Sequence, residues 1–369
     1  MEDHRYLALT DGRLSPRTSK TANSAIRYLP ERVVGILDGE YAGKSVEEVL
    51  GFGGPIPIVG SLAEGLELNP TALLIGIAPS GGRLPEEWRP VLLEALRAGL
   101  DLVSGLHFYL SDDPELAAQA RESGVEIYDL RRPPKQLPVS TGRARLVEPL
   151  VVHTVGTDSN IGKMTALLEI RDGLIEAGAE VGFAATGQTG ILIEGKGIAV
   201  DAVAADFIAG AAEQLVLEAA EGNEIVLVEG QGSLIHPGYS GVTLGLLYGS
   251  LPDVMIICHQ PTRRSPHSND GVYDWVTLPS IGEMIAHSEA VIRPVKESKV
   301  IGVALNTSDL SEEEARGVIA EIEAETSLPT TDPVRFGPGP LVEAIEMAKR
   351  AKLGASCKKL SVEAEKVMV

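Results

Sequence analysis

Residues 151–165 read VVHTVGTDSNIGKMT, and this stretch decides the fold of the chain around it. The apolar residues 151–155 predict a buried strand, and the glycine-bounded loop after them leads through Lys163 into an amphipathic helix over 166–177. Glycines let a loop turn its main-chain N–H groups toward an anion, and the N-terminus of the following helix adds partial positive charge. The order of strand, loop, lysine and helix therefore predicts a phosphate-binding loop rather than an ordinary turn before a helix.

The predicted phosphate loop differs in two places from the most common form of this motif. One residue more than usual separates Gly156 from Gly162, and Met164 stands where a metal-binding hydroxyl usually follows the lysine, which leaves Thr165 one position later. We expect the following residues to contact the phosphates of a nucleotide: Gly156, Thr157, Asp158, Ser159, Asn160, Gly162, Lys163, Met164 and Thr165.

The composition is that of a globular protein of roughly two or three domains. The chain has 369 residues, of which 44% are hydrophobic and 23% charged. A net charge of −20 argues against non-specific binding to nucleic acid, and no apolar run approaches the length that spans a membrane. Two cysteines provide no disulfide framework, and the N-terminus lacks the pattern of a signal peptide, so we expect a cytoplasmic protein.

The first third of the chain alternates short apolar runs with amphipathic stretches, which predicts an α/β fold with a parallel, doubly wound sheet. The stretch 131–138 is basic and rich in proline, and it reads as a linker. We therefore predict a Rossmann-like parallel-sheet domain over 1–140, followed by a P-loop NTPase-like α/β domain over 141–369.

Three segments are predicted to meet in one crevice of the first domain, because ligands of such sheets bind beyond the carboxyl ends of the strands. They are Asp38, residues 79–82 and residues 104–107. His107, in the last segment, is either a catalytic residue or an ordinary loop histidine. No complete Gly-x-Gly-x-x-Gly occurs, so we do not expect a dinucleotide site there. The local basic excess of residues 13–27 either meets a phosphate or carboxylate or belongs to a solvated loop and helix, and the role of the basic loop at 263–264 stays open.

An acidic residue follows a second buried run, where residues 225–228 end in Glu229 and Gly230. A carboxylate at such a strand tip, downstream of the phosphate loop, is where a nucleotide site holds Mg²⁺, and the glycine lets the main chain approach the phosphates. We predict that Lys163 and Glu229 are catalytic and that Gly230 contacts the nucleotide. If Mg²⁺ is used, we expect its ligands among Thr165, Glu229 and Asp206, with Asp158 and Asp201 as further acidic candidates.

The segments 156–165, 228–232 and 302–306 together resemble dethiobiotin synthetase and its relatives among P-loop proteins. That resemblance implies that Lys163 and Thr165 bind phosphates, that Glu229 binds Mg²⁺ and that Asn306 contacts the edge of the base.

Over nearly its full length the chain resembles a second family, that of D-glutamate N-acetyltransferase. This family was long catalogued only as a domain of unknown function, and it couples a Rossmann-like domain to a P-loop domain. The resemblance implies acetyl transfer from acetyl-CoA to the amino group of D-glutamate, and a methionine after the lysine is one of its features. It rests on these segments: 79–83, 104–107, 129–131, 156–165, 186–190 and 229–232.

Three functions remain open from the sequence. The first is an acetyl-CoA-dependent N-acetyltransferase whose phosphate loop holds the nucleotide end of CoA, and the displaced hydroxyl at Thr165 favours it because this chemistry needs no catalytic metal. The second is an ATP- and Mg²⁺-dependent ligase or kinase of the dethiobiotin synthetase type, favoured by Glu229 and Asn306. The third is a nucleotide-binding regulator. For the first, we expect a small acidic amino acid as substrate, and we expect a homo-oligomer.

Overall fold

The computed structural model describes residues 3–16, 18–77, 84–268 and 271–367. Its internal contacts divide the chain into two units, Met1–Pro134 with Gly187–Ala202, and Lys135–Thr186 with Val203–Val369. The sequence predicts the segment Gly187–Ala202 within the second domain, but its contacts group it with the first unit. Residues 79–82, predicted to border the crevice of the first domain, lie outside the described residues.

The first unit is built on a six-stranded sheet in the order β3-β2-β1-β4-β5-β6. All neighbouring strands are parallel, and this order is that of the Rossmann fold, so the predicted fold class is confirmed. Its strands are β1 (Tyr6–Leu9), β2 (Val33–Leu37), β3 (Ile58–Val59), β4 (Ala72–Ile75), β5 (Asp101–Ser104) and β6 (Ile127–Asp129). Its helices are α1 (Lys20–Tyr28), α2 (Val46–Leu50), α3 (Leu62–Leu66), α4 (Arg89–Arg97), α5 (Pro114–Ser123) and α7 (Gln188–Glu194).

A buried acid fixes the start of α5 in this unit. The Asp113 carboxylate accepts hydrogen bonds from the main-chain N–H groups of Glu115 and Leu116, which the first helical turn cannot satisfy itself. Arg89 at the start of α4 pairs with the same carboxylate at 2.7 Å, so one aspartate joins two helices.

The second unit is also built on a six-stranded parallel sheet, in the order β12-β11-β10-β7-β9-β8. Every residue of β7, the strand before the phosphate loop, is buried. The strands are β7 (Leu150–Gly156), β8 (Val181–Ala184), β9 (Ile225–Val228), β10 (Val254–His259), β11 (Lys299–Leu305) and β12 (Thr330–Thr331). The helices are α6 (Lys163–Glu176), α8 (Ala205–Ala219), α9 (Ser240–Ser250), α10 (Ile281–Ile292), α11 (Glu312–Thr326) and α12 (Gly339–Val367).

The chain that enters the second unit is held against α8. Glu213, buried on that helix, accepts hydrogen bonds from the main-chain N–H of Arg143 at 2.6 Å and of Thr141 at 3.2 Å. Gly210, one turn earlier, lies directly beneath Pro138, because a Cβ on Gly210 would come within 1.7 Å of the Pro138 carbonyl oxygen. The Glu213 carboxylate therefore holds this segment by hydrogen bonds, and Gly210 lets it lie close against the helix.

The structure differs from the sequence prediction at two helices. Residues 186–190 read TGQTG, a sequence that predicts a glycine-rich turn, but α7 begins at Gln188 inside that stretch. The helix after the phosphate loop begins earlier than predicted, at Lys163. In the described residues, no helix combines the length and the apolar character needed to cross a membrane.

Candidate active site

The predicted phosphate loop joins the carboxyl end of β7 to the first turn of α6. Thr157 and Asp158 are fully buried at its start, and Asn160 and Gly162 adopt φ of 56° and 97°. Both values lie in the left-handed region, where a side chain adds strain, so position 162 favours glycine and position 160 holds asparagine, which tolerates this conformation better than most residues. The loop therefore ends in a tight turn that presents the N-terminus of a 14-residue helix.

Lys163 occupies the first position of α6, with its ammonium group folded back over the loop. Its Nζ donates a hydrogen bond to the main-chain carbonyl of Asp158 at 2.6 Å. A Cβ on Gly156 would come within 3.1 Å of the lysine Cδ, so the glycine leaves room for the stem of the side chain. Lys163 is only 6% exposed, which places its charge inside the loop.

The buried carboxylate of Asp158 connects the phosphate loop to the loop after β10. Its Oδ2 accepts hydrogen bonds from the Arg263 guanidinium at 3.0 Å and from the main-chain N–H of His267 at 2.8 Å. Arg263, in the basic loop after β10, thus pairs with a carboxylate of the phosphate loop itself. Strand β10 lies directly beside β7, which brings the two loops together.

Two further side chains, those of His259 and Asn306, lie at the phosphate loop. The Thr157 hydroxyl lies 2.9 Å from Nδ1 of His259. Burial, and then the positive charge of Arg264, lower the pKa of His259 to about 4, so this ring is neutral near pH 7. Asn306 follows β11, and its Nδ2 lies 3.8 Å from the place of a Cβ on Gly162. The structure therefore brings Asn306 to the phosphate loop.

Glu229 lies at the tip of β9, where the sequence predicts it, and it is 5% exposed. Its Oε2 accepts a hydrogen bond from the main-chain N–H of Thr186 at 2.9 Å, and the Thr186 hydroxyl donates to the Glu229 carbonyl at 2.8 Å. Gly230 packs against β7, because a Cβ there would come within 1.6 Å of the Thr154 carbonyl oxygen. Only glycine allows this approach, so Gly230 fixes the direction in which Glu229 leaves the strand.

The three predicted magnesium ligands occupy different places. Thr165 lies in the first turn of α6 and Glu229 at the tip of β9, and Mg²⁺ held by these two residues would take its other ligands from phosphate and water. Asp206 is exposed in the first turn of α8 and lines a separate cavity of about 420 Å³ with Ser140 and Tyr248. Within the described chain, no group of three or more His, Cys, Asp or Glu residues is arranged to hold a metal ion.

Two buried polar residues after Glu229, Ser233 and His236, were not predicted from the sequence. Ser233 is fully buried, and its Oγ makes no hydrogen bond within the described residues. His236 is also fully buried, stacks on Tyr239 at 4.4 Å between ring centroids and accepts a hydrogen bond on Nδ1 from the main-chain N–H of Gly238. Their position after an acidic strand tip was the only signal, and it does not distinguish them from ordinary loop residues.

The two sheets and the phosphate loop define a class of protein that joins a Rossmann-like domain to a P-loop domain. A Rossmann-like domain described as DUF1611_N matches residues 39–133, and a P-loop domain of unknown function, DUF1611_C, matches residues 138–342. The chain belongs to the DUF1611 family, as its motifs predicted.

Two relatives of this chain carry the name D-glutamate N-acetyltransferase. The protein from Tritonibacter scottomollicae is 42% identical over 77% of this chain and 84% of its own length. The protein from Pseudoalteromonas sp. is 37% identical over 75% of this chain and 82% of its own. A crystal structure of a DUF1611 family protein from Anabaena variabilis is 39% identical and has a TM-score of 0.88, covering 94% of this chain and 100% of that chain.

Proposed function

We propose that the protein transfers the acetyl group of acetyl-CoA to the amino group of an acidic amino acid, with D-glutamate as the acceptor. The observation that carries the proposal is the name shared by two relatives, which are 42% and 37% identical over most of the chain. The phosphate loop supports it, because CoA carries phosphate groups on its nucleotide end that a P-loop can hold.

The phosphate loop offers the groups that such a nucleotide end requires. Lys163 provides a full positive charge, and α6 directs its N-terminus at the loop. The ammonium group of Lys163 donates to the Asp158 carbonyl, and we propose that a CoA phosphate takes the place of that carbonyl. Met164 leaves no hydroxyl directly after the lysine, which suits a ligand that is bound without hydrolysis.

The proposed reaction forms one bond and breaks one bond. The acceptor ammonium first loses a proton to a base, and its nitrogen then attacks the thioester carbonyl carbon to give a tetrahedral oxyanion. The C–S bond breaks as the carbonyl re-forms, the nitrogen loses its second proton, and the thiolate leaves as the free thiol of CoA. The net products are the N-acetyl amino acid, CoA and one released proton. We assign Glu229 to this chemistry as the base, since it is the buried carboxylate at the strand tip.

An ATP- and Mg²⁺-dependent ligase is the second candidate, and the presence of both a phosphate-loop lysine, Lys163, and an acidic strand tip, Glu229, favours it. The two candidates differ in what they consume. The test measures free thiol from acetyl-CoA with D-glutamate, with L-glutamate and without acceptor, each with and without Mg²⁺ and ATP. We expect thiol release that needs D-glutamate but not ATP. Formation of ADP without thiol release would assign the chain to the ligase class instead.

A further inference from the structure

A cluster of charged side chains in the first unit is not used by the steps described above. Arg131 follows β6 and is 8% exposed. Its Nε donates a hydrogen bond to the carbonyl of Gly105 at 2.8 Å, and its Nη1 forms an ion pair with Asp201. Gly105 belongs to the loop after β5, so the cluster lies at the carboxyl ends of two neighbouring strands, where ligands of such sheets bind.

A polar atom of this cluster has no hydrogen-bond partner in the part of the chain that the structure describes. Oδ1 of Asp201 is buried and makes no hydrogen bond. Arg131 itself makes its hydrogen bonds in the described chain through Nε and Nη1. A buried carboxylate oxygen without a partner costs free energy, so its retention points to a group that arrives from outside the chain.

Gln188 reaches the cluster because α7 packs on the loop after β5. A Cβ on Gly105 would come within 2.7 Å of the Gln188 Cγ, so the glycine is what allows this contact. His107 stands nearby, and burial, followed by the charge of Arg131, lowers its pKa. Because His107 is therefore neutral near pH 7, Arg131 is the positive group of the cluster and Asp201 the negative one.

We propose that Arg131 and Asp201 form the binding site for the amino-acid substrate, with Arg131 holding a carboxylate and Asp201 holding the ammonium group. An α-amino acid carries both charges on one carbon, which matches a cation and an anion presented side by side. A guanidinium binds a carboxylate through two parallel N–H groups, and we assign one of them to Nη2 of Arg131, since Nε and Nη1 bind Gly105 and Asp201. The Gln188 amide is placed to bind a second polar group of the same ligand. This inference rests on the proposed function for the identity of the acceptor.

The test uses calorimetric titration of the full-length protein with D-glutamate and with glutarate, which keeps two carboxylates but has no ammonium group. Asp201→Asn keeps the shape of the side chain and removes its charge. We expect this variant to bind D-glutamate roughly ten- to hundredfold more weakly while its affinity for glutarate is unchanged. We expect Arg131→Lys to weaken both ligands, because lysine cannot form the paired contact.

Arg89→Lys is the matched control, since Arg89 also pairs with an aspartate of the first unit, and it should leave both affinities unchanged. Thermal melting of each variant without ligand checks that it is folded. The proposed site is wrong if a folded Asp201→Asn protein binds D-glutamate with the affinity of the unchanged protein. It is also wrong if this variant loses affinity for D-glutamate and for glutarate equally. Absence of D-glutamate binding in the unchanged protein overturns it as well.

An assay of acetyl transfer, which measures the release of free thiol, tests the proposed function separately from this inference. Thiol release that needs D-glutamate, together with unaltered binding in the Asp201 and Arg131 variants, leaves the function standing and rejects the site. Binding of D-glutamate that depends on Arg131, without any thiol release, leaves the site standing and rejects the acetyltransferase.

Discussion

At the scale of single residues, Lys163 is the first to test. The sequence suggests an accessible loop lysine, but the side chain is 6% exposed and packs beside Gly156. Lys163→Met keeps most of that packing and removes the charge. We expect CoA to bind at least about tenfold more weakly, a loss of about 1.4 kcal/mol, because the phosphates lose their counter-charge. Calorimetric titration measures the affinity.

Lys299→Met is the control for this change, since Lys299 is exposed on β11 and pairs with Glu289. It should leave CoA affinity as it was. If a folded Lys163→Met protein binds CoA as tightly as the unchanged protein, the phosphate loop does not bind the phosphates of CoA.

Glu229 is the second residue to test. Glu229→Gln retains an oxygen that can accept the hydrogen bond from the Thr186 N–H, so we expect little change in melting temperature. Activity should fall about 100-fold or more if the carboxylate takes the proton, and the pH–rate profile should lose its acidic limb. If Glu229 instead binds Mg²⁺, only metal-dependent ligand binding weakens. Full activity of Glu229→Gln would exclude both roles.

His153 makes stability depend on pH. It is fully buried in β7, and burial, followed by the charge of Lys163, lowers its pKa to about 3. The unfolded chain takes up a proton at this residue below about pH 6.5, whereas the folded protein does not. The stability that depends on neutral His153 is therefore complete above about pH 6.5 and is lost as the pH falls toward about 3. Between pH 7 and pH 5 the free energy of unfolding falls by about 2 kcal/mol through this residue.

We expect His153→Gln to reduce this pH dependence, because glutamine does not titrate. Urea unfolding at pH 7 and at pH 5 measures the free energy of unfolding of both proteins. His287→Gln, at an exposed position of α10, is the control and should keep the full difference. An unchanged pH dependence in His153→Gln would show that this histidine is not the titrating group.

At the scale of helices and strands, α8 shows how a local preference and tertiary packing can oppose each other. Alanine usually stabilises a helix relative to glycine by roughly 0.5–1 kcal/mol. At Gly210, however, a Cβ would come within 1.7 Å of the Pro138 carbonyl oxygen. We expect Gly210→Ala to lower the free energy of unfolding by about 2 kcal/mol or more, because main chain must move. Urea unfolding measures the change.

Gly317→Ala in α11 is the matched control, since nothing lies within 4 Å of a Cβ there. It should raise stability by roughly 0.5–1 kcal/mol. If both substitutions stabilise the protein to the same extent, the close contact of α8 with Pro138 is wrong.

The elements with a clear local pattern were predictable. The sequence predicts strands over 101–104, 225–228 and 254–259 and a helix over 114–123, and these are the bounds of β5, β9, β10 and α5. A short apolar run or a capped amphipathic stretch specifies each of them. Helix α9 was not predicted, since its sequence carries three glycines and no polar face. Two of them, Gly245 and Gly249, let α9 lie close against α8, with sites for a Cβ only 2.6 Å and 2.2 Å from atoms of that helix. A glycine that serves packing looks like a helix breaker in the sequence.

At the scale of the whole molecule, the first unit needs a segment that lies far along the chain. Helix α7 contributes the buried Ile191 and Leu192 and packs against α1. We expect residues 1–134 alone to melt at least about 5 °C below a fusion that adds residues 187–202 through a flexible linker, because the fusion restores this buried apolar surface. Circular dichroism measures both melting curves.

The control is the same fusion with Leu192→Asp, which should melt like residues 1–134 alone. Identical melting temperatures for residues 1–134 and the unaltered fusion would contradict the place of residues 187–202 in the first unit.

The sequence by itself determined the phosphate loop, the acidic tip at Glu229 and the family. Each is specified by residues that follow one another closely, so spacing and local pattern are sufficient. Only the tertiary structure decided that Arg263 pairs with Asp158 and that Arg131 pairs with Asp201, across separations of 105 and 70 residues. Such pairs depend on which strands become neighbours and on where a returning segment packs. Charge and hydrophobic pattern within one segment cannot encode that choice, because many partners elsewhere in the chain would satisfy the same side chain equally well.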